Sequence, residues 1–354
     1  LNELDFDIDL TGFSIDDIVP EETEGLADEV AKGSLAEKFG IPPFSVLNSR
    51  EGWWQDRKRA WLALGIQSEE GRDGVLTYAV SSQSPSVYEK KNKYEESIGK
   101  KVSMEQFIEA NPDVYIQSGT SIFDPTLCEL AVSWFSPQGG TVLDPFAGGS
   151  VRGIVASQIG RQYIGHELRP EQVEANRAQG AEICNDPQPV WHTGDSRNID
   201  KTCKDVQADF VFSCPPYADL EVYSDDPNDL SNMPYADFMA AYREIIAKTC
   251  ALLKDDRFAC FVVGEVRDKK GRYYNFVGDT VEAFKAAGLH FYNEAILVNN
   301  AGSTAMRAGR QFTAGRKLGK THQNVLVFVK GDGKKATQAC GPVEVVMPEA
   351  ETDD

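Results

Sequence analysis

The chain has 354 residues, enough for about two domains or one large domain with appendages. Apolar residues make up 41% and charged residues 26%, an ordinary globular balance, and no stretch approaches the ~18 apolar residues of a membrane span or opens as a secretory signal. The formal net charge of −19 argues against a uniformly basic nucleic-acid binder, yet 16 of the 55 acids lie in residues 1–30 and 344–354, where no base occurs, so the middle sets 39 acids against 36 bases.

A near-neutral middle leaves room for a local basic face. The seven cysteines are odd in number and irregularly spaced, with no Cys-x-x-Cys pair, which points to a reducing compartment rather than a disulfide framework. The four histidines show no zinc-type spacing, so no metal is expected.

Residues 1–30 alternate acidic and apolar residues and read as an acidic tail or linker. Because residue 1 is Leu, the sequence reads as a piece of a longer chain. Residues 31–115 form a mixed N-terminal accessory region. It holds a cluster of Trp53, Trp54, Arg57, Lys58, Arg59 and Trp61, a Ser-rich stretch at 81–86 and a charged helical run near 87–100. The tryptophans read as core bracing.

From 116 to 331 the pattern turns regular and marks a catalytic domain, followed by an acidic C-terminal tail at 332–354. Strands are predicted at 140–146, 162–168, 208–214, 257–266, 292–299 and 324–331, with helices over 151–158, 170–181, 235–253 and 276–287. Strand–helix alternation predicts an α/β fold whose mostly parallel sheet is covered by helices on both faces. Such sheets bind ligands beyond the carboxyl ends of their strands, so the residues just after each strand carry the interest.

The first of these strands runs into Asp144-Pro145-Phe146-Ala147-Gly148-Gly149-Ser150. Adjacent glycines let backbone approach a ligand, and the following helix N-terminus favours an anionic group. The dinucleotide fingerprint fails because position 150 is Ser, and no Walker lysine follows. Glu167 ends the second strand, at the distance where an acid accepts ribose hydroxyls. Asp195, in Gly194-Asp195-Ser196, follows a third short segment and suits an adenine amine.

These motifs, with Ser213-Cys214-Pro215-Pro216-Tyr217, resemble the S-adenosylmethionine-dependent DNA methyltransferases that modify the N4 amine of cytosine or the N6 amine of adenine. The resemblance implies a Rossmann-like class I methyltransferase fold with a seven-stranded sheet and an N-terminal extension. It implies S-adenosylmethionine as cofactor, S-adenosylhomocysteine as product and double-stranded DNA as partner. Asp144, Pro145, Phe146, Gly148, Gly149, Ser150, Glu167 and Asp195 would bind the cofactor. Phe123 and Thr126, in the upstream "SIFDPTL" segment, would meet its methionine end. The opening residues also resemble the junction after a ParB-like domain in phage-encoded methylase fusions. That would place the protein in the cytoplasm of a bacterial host, with restriction–modification or DNA modification as its setting.

Methyl transfer requires acceptor and methyl to be placed in line, and the base must leave the duplex and stack on an aromatic face. Tyr217 suits that face, and Pro215 and Pro216 stiffen the loop. The residue before the two prolines accepts the target amine's hydrogen bond in the family. Here it is Cys214, a weak acceptor, with Ser213 behind it. A thiol is instead a good nucleophile when ionised, and Glu265 ends the neighbouring strand. Cys214 attacking C6 with Glu265 at N3 would suit cytosine-C5 methylation, so that reading stays open beside exocyclic-amine transfer. Both allow cytosine, which is favoured over adenine. RNA methylation and a non-catalytic DNA-binding role are lesser alternatives.

Residues 295–331 contain no acid and hold Arg307, Arg310, Arg316, Lys317 and Lys320. The glycines among them predict a loop that orders on DNA phosphates. A second basic patch covers 267–272, and the acidic insert 218–234 reads as a pocket lid.

Overall fold

The computed structural model describes residues 44–67, 85–111, 123–217, 224, 226–268, 270–299 and 304–343. The two acidic ends and residues 218–223 of the expected lid lie outside the described residues.

An eight-stranded sheet forms the centre, in the order β1-β7-β8-β6-β5-β2-β3-β4. Its strands are β1 (Val46–Asn48), β2 (Thr141–Asp144), β3 (Gln162–Glu167), β4 (Val190–Thr193), β5 (Ala208–Ser213), β6 (Leu253–Val263), β7 (His290–Val298) and β8 (His322–Lys330). Strand β8 runs antiparallel to β6 and β7, and the other pairings are parallel. The chain therefore has the expected Rossmann-like α/β fold, with eight strands where seven were expected. The additional strand is β1, which pairs in parallel with β7 through Val46 opposite Ile296.

The helices are α1 (Gly52–Leu62), α2 (Pro85–Ile98), α3 (Met104–Ala110), α4 (Pro125–Phe135), α5 (Val151–Gln158), α6 (Pro170–Ile183), α7 (Tyr235–Leu252), α8 (Phe276–Ala286), α9 (Thr304–Gly315) and α10 (Gly333–Cys340). Successive residues of a strand point to opposite faces, and here both faces are apolar. Val142, Phe210, Phe212, Cys260 and Val262 pack with α1, α4 and α5. Leu143, Val211, Phe261 and Val263 pack with α7 and α8 on the other side. This is why β5, buried at every position, reads as a continuous apolar run rather than an alternating one.

Residues 46–66 of the expected accessory segment are built into this sheet and core. Trp54 and Trp61 are fully buried, as their reading as core bracing implies. Arg57 makes a buried two-pronged contact with Glu129 of α4, at 2.8 and 2.6 Å, and Trp61 Nε1 donates to the same carboxylate at 2.6 Å. A charge pair this deep persists only with its remaining hydrogen-bonding positions filled. The arrangement fixes α1 against α4. Helices α2 and α3 form a small cluster of their own around Val87, Met104 and Phe107.

Two further expectations need correction. The basic run after residue 302 is not a loop throughout: Thr304–Gly315 is helical, its glycines Gly309 and Gly315 having been read as breakers. The expected tail beyond 332 opens with α10, capped by Asp332 accepting from Lys335 N at 2.9 Å and anchored by the fully buried Ala336.

Candidate active site

Strand order reverses between β2 and β5, which are neighbours with Leu143 opposite Val211. Ligands of open α/β sheets bind at such a switch point. The glycine-containing loop leaves β2 here, and the diproline loop leaves β5 beside it. Both line one cavity of about 440 Å³, within the ~300–1,000 Å³ of small-molecule sites.

Of the residues expected to hold a cofactor, Phe123, Pro145, Phe146, Gly148, Gly149, Glu167 and Asp195 line this cavity. Gly148 has φ +52°, the left-handed region that glycine enters without cost. Its N–H donates to Glu167 Oε2 at 2.9 Å, while Arg169 N donates to Oε1 at 3.1 Å. The Glu167 carboxylate is thereby oriented at the mouth of β3. Asp195 accepts from Arg197 N and Nε, both at 2.8 Å. Partial burial opposes its ionisation, but the Arg197 contacts prevail and hold its carboxyl below the usual carboxylate range. At the other end Arg152 Cζ lies 4.7 Å from the Phe123 ring centre.

The expected catalytic residues Cys214, Pro215, Pro216 and Tyr217 line the same cavity. Cys214 Sγ lies 3.7 Å from the Tyr217 hydroxyl. Gln323 Nε2 donates to that hydroxyl at 2.7 Å, and Asn299 Nδ2 donates to Gln323 Oε1 at 3.2 Å. The Tyr217 ring meets Phe276 edge-on at 6.3 Å.

Thr126, Asp144, Ser150, Ser213 and Glu265 do not line the cavity. Asp144 is fully buried and binds Arg152 Nε at 2.7 Å, Tyr163 hydroxyl at 2.7 Å and Ser213 Oγ at 2.5 Å. Ser213 also accepts from Phe146 N at 3.2 Å. Asp144 and Ser213 thus brace the two loops from below, and neither lines the cavity. Ser150 is buried and donates to Gln179 Oε1 at 2.9 Å. Thr126 is buried in α4, where its Oγ1 finds no hydrogen-bond partner. Glu265 accepts from Phe276 N and Val277 N, each at 3.1 Å. It caps the start of α8, where unsatisfied N–H groups favour an anion.

Sequence reasoning missed several cavity residues, among them Ser49, Lys58, Asp124, Arg152, His166, Asn299 and Gln323. Asp124 had a signal, since an acid before Pro125 marks a helix start. It caps α4, accepts from Trp54 Nε1 at 3.2 Å and lies 3.7 Å from Lys58 Nζ. Lys58 and Asn299 had none, because only the tertiary packing of α1 and β7 brings them there. His166 is buried beside Ser196, and burial, with His192 adding, lowers its pKa to about 4.

Of the expected DNA contacts, Arg310, Arg316 and Lys317 are exposed, and Arg307 belongs to α9. Lys317 Nζ lies against Gly271 of the second basic patch. Lys320 is half-buried, and its Nζ is hidden from solvent. Among the described residues no helix is long and apolar enough to cross a membrane, and no group of acids, histidines and cysteines suits a metal ion.

A model of the DNA methylase family, the N6 and N4 methyltransferases, matches residues 48–178, from β1 through most of α6. No curated protein matches the chain. Among solved structures it is similar to TrmN from Thermus thermophilus, at 13% identity over 59% of this chain and 49% of that one, with a TM-score of 0.40. A TehB-like SAM-dependent methyltransferase from Corynebacterium glutamicum shares 17% identity over 64% of this chain and 95% of that one, with a TM-score of 0.36. Magnesium protoporphyrin IX methyltransferase from Synechocystis, solved with bound SAM, shares 12% over 68% and 94%, with a TM-score of 0.38. The chain spans about half the length of the TrmN structure.

Proposed function

We propose that this chain, an S-adenosylmethionine-dependent methyltransferase whose residues 48–178 match the DNA methylase family, methylates an exocyclic amine of a base extruded from duplex DNA, cytosine in preference to adenine. The observation that carries this reading is the shared cavity: the loops after β2 and β5 face one space from adjacent strand ends.

The residues around that space suit the cofactor. Glu167 offers an oriented carboxylate to a pair of ribose hydroxyls, and Asp195 offers one to an adenine amine. Gly148 and Gly149 carry no side chain that would fill the cradle. Phe123, Asp124 and Lys58 lie at the α4 end, where a carboxylate and an ammonium suit the two charges of an amino-acid moiety. Bound there, S-adenosylmethionine supplies an electrophilic methyl carbon on a positively charged sulfur.

The chain's own part is to place the acceptor. Tyr217 offers a stacking face, held by Gln323 through its hydroxyl and by Phe276 at its edge. Pro215 and Pro216 restrict the backbone carrying the carbonyls that would accept from the amine. Cys214 contributes shape and a weak acceptor rather than a strong one. In-line placement of nucleophile and methyl accounts for most of what such a transfer needs. The amine reading is favoured over C5 addition because both oxygens of Glu265 are engaged by the first turn of α8, leaving Cys214 without the acid that addition at C6 requires at N3.

Duplex DNA is the substrate most consistent with α9 and its basic continuation, which present Arg310, Arg316 and Lys317 to solvent. The direct test is tritium transfer from labelled S-adenosylmethionine to duplex DNA, single-stranded RNA and structured RNA. Label in duplex DNA is the expected result. Label confined to RNA would overturn the choice of substrate.

A further inference from the structure

Lys320 was expected to meet the DNA backbone, but its ammonium is not on the surface. Its Nζ is buried and has no hydrogen-bond partner. It lies across Gly264 from Tyr217. A Cβ built on Gly264 would stand 3.5 Å from Lys320 Nζ, 3.9 Å from Tyr217 Cζ and 4.0 Å from the Tyr217 hydroxyl oxygen. Glycine just after β6 therefore leaves room for no more than about a methyl group between the ammonium and Tyr217; Tyr217 lines the cavity, and Lys320 sits behind it. Gln323, three residues further on at the start of β8, is already bonded to the Tyr217 hydroxyl.

A buried ammonium with three donors and no acceptor is costly to leave unpaired. Native interiors satisfy such groups, and an exception points to a missing partner. Glu265 attracts Lys320 but is bonded to the α8 backbone and does not pair with it. Burial lowers the Lys320 pKa, and Arg267 lowers it further while Glu265 opposes both. The partner must bring acceptors from the cavity past Tyr217, which lines it. A strand phosphate stays at the rim of an extruded nucleotide, whereas the base edge enters.

We infer that Lys320 reads the acceptor edge of the extruded base and selects cytosine. This rests on the DNA-methylation reading above. Cytosine places N3 and O2 side by side next to its amine, two contiguous acceptors for one ammonium. Adenine places a single ring nitrogen there, followed by a C–H. Lys320 is thus a specificity-determining residue that stands behind Tyr217 and is met when the base edge passes that ring, separate from the basic side chains of α9.

The test uses the full chain and the duplex site mapped with it. Lys320→Met removes the donors while keeping the side chain's length. Its affinity for S-adenosylmethionine stays within about twofold, and methylation of the site falls about tenfold to a hundredfold, the range of a hydrogen bond to a charged group. The unaltered chain binds duplex with cytosine at the target more tightly than duplex with an abasic target, and Lys320→Met loses that preference. The salt dependence of DNA binding stays unchanged. The same contact is removed from the DNA side by 3-deazacytosine, which slows the unaltered chain but slows Lys320→Met no further; this arm of the cycle also serves if the variant folds poorly. A salt slope lowered by about one, with the cytosine preference intact, would make Lys320 a phosphate contact and overturn the inference. So would full activity of Lys320→Met, or N6-methyladenine as the unaltered chain's product. Absence of any methyl on DNA from the unaltered chain would instead remove the DNA reading, and this inference with it.

Discussion

Ser213 Oγ donates to Asp144 Oδ1 across 2.5 Å, joining the end of β5 to the end of β2 beneath the cavity floor. Asp144 in turn holds Arg152 and Tyr163, so one buried carboxylate ties together the glycine loop, the helix after it and the diproline loop. Removing its charge would leave the Arg152 guanidinium buried and unpaired. Asp144→Asn should therefore destabilise the fold by about 3–5 kcal/mol, and Ser213→Ala by about 1–3 kcal/mol. Urea unfolding monitored by circular dichroism measures both. Equal, small losses would mean that the network contributes little.

Glu167 differs from Asp144 in facing the cavity. Glu167→Gln should weaken S-adenosylmethionine binding about tenfold to a hundredfold, the loss of charge-assisted hydrogen bonds. Without cofactor its unfolding midpoint should stay close to that of the unaltered chain. Calorimetric titration checks the first statement. An unchanged affinity would take Glu167 out of the cofactor's contacts.

Cys214→Ser separates the two chemistries open at the diproline loop. Serine is the better acceptor of an amine hydrogen, so the rate of methyl transfer should be kept or raised. Covalent addition through sulfur would instead be abolished. A stable adduct between the unaltered chain and DNA carrying 5-fluorocytosine would show that sulfur attacks the ring.

What the sequence revealed here followed from where function sits in an open α/β sheet. Asp144, Glu167, Asp195 and Cys214 all stand at strand ends, and strand ends are legible from apolar runs. The sequence did not separate residues that line the cavity from those that hold them in place. Asp144 and Ser213 belong to the same motifs as Phe146 and Tyr217, yet point into the core. Asp144 and Ser213 are the last residues of β2 and β5, whereas Phe146 and Tyr217 lie in the loops beyond, where strand periodicity ends and direction is set by local hydrogen bonds. Glu265 was misread for a related reason: it stands beside a strand end, but the N-terminus of α8, a dozen residues later, captures it. Strand β1 escaped notice because three residues carry no period, and Lys58, noted only as part of the Trp–Arg cluster, was not placed at the cavity because its position depends on the Arg57–Glu129 pair. The glycines in 302–322 suggested a loop, whereas α9 tolerates Gly309 at the modest helix cost of about 1 kcal/mol.

Stability should depend on pH through His166. Burial, with His192 adding, lowers its pKa from 6.5 to about 4 in the folded chain. Between these values the unfolded chain takes up a proton that the folded chain refuses. Stability from this group is thus complete above about pH 6.5 and falls as pH drops toward 4, by up to roughly 3 kcal/mol. His192, lowered in the same direction, adds to the trend. Urea midpoints at pH 7 and pH 5 should differ less in His166→Gln. An identical difference would assign the acid sensitivity to other groups.

The bases of α9 and its extension, with Arg310 and Arg316 exposed, should act through phosphates. Replacing Arg307, Arg310 and Arg316 with alanine together should weaken DNA binding and reduce its salt slope by about 2–3, close to one counterion per contact. S-adenosylmethionine affinity should not change. Fluorescence anisotropy across a salt series gives the slope, and an unchanged slope would remove this helix from the interface.

The identity of the methylated nucleoside tests the account most directly. DNA incubated with the full chain and S-adenosylmethionine, digested to nucleosides and resolved by mass spectrometry, should contain N4-methylcytosine. Finding 5-methylcytosine, or no methylated nucleoside at all, would contradict it.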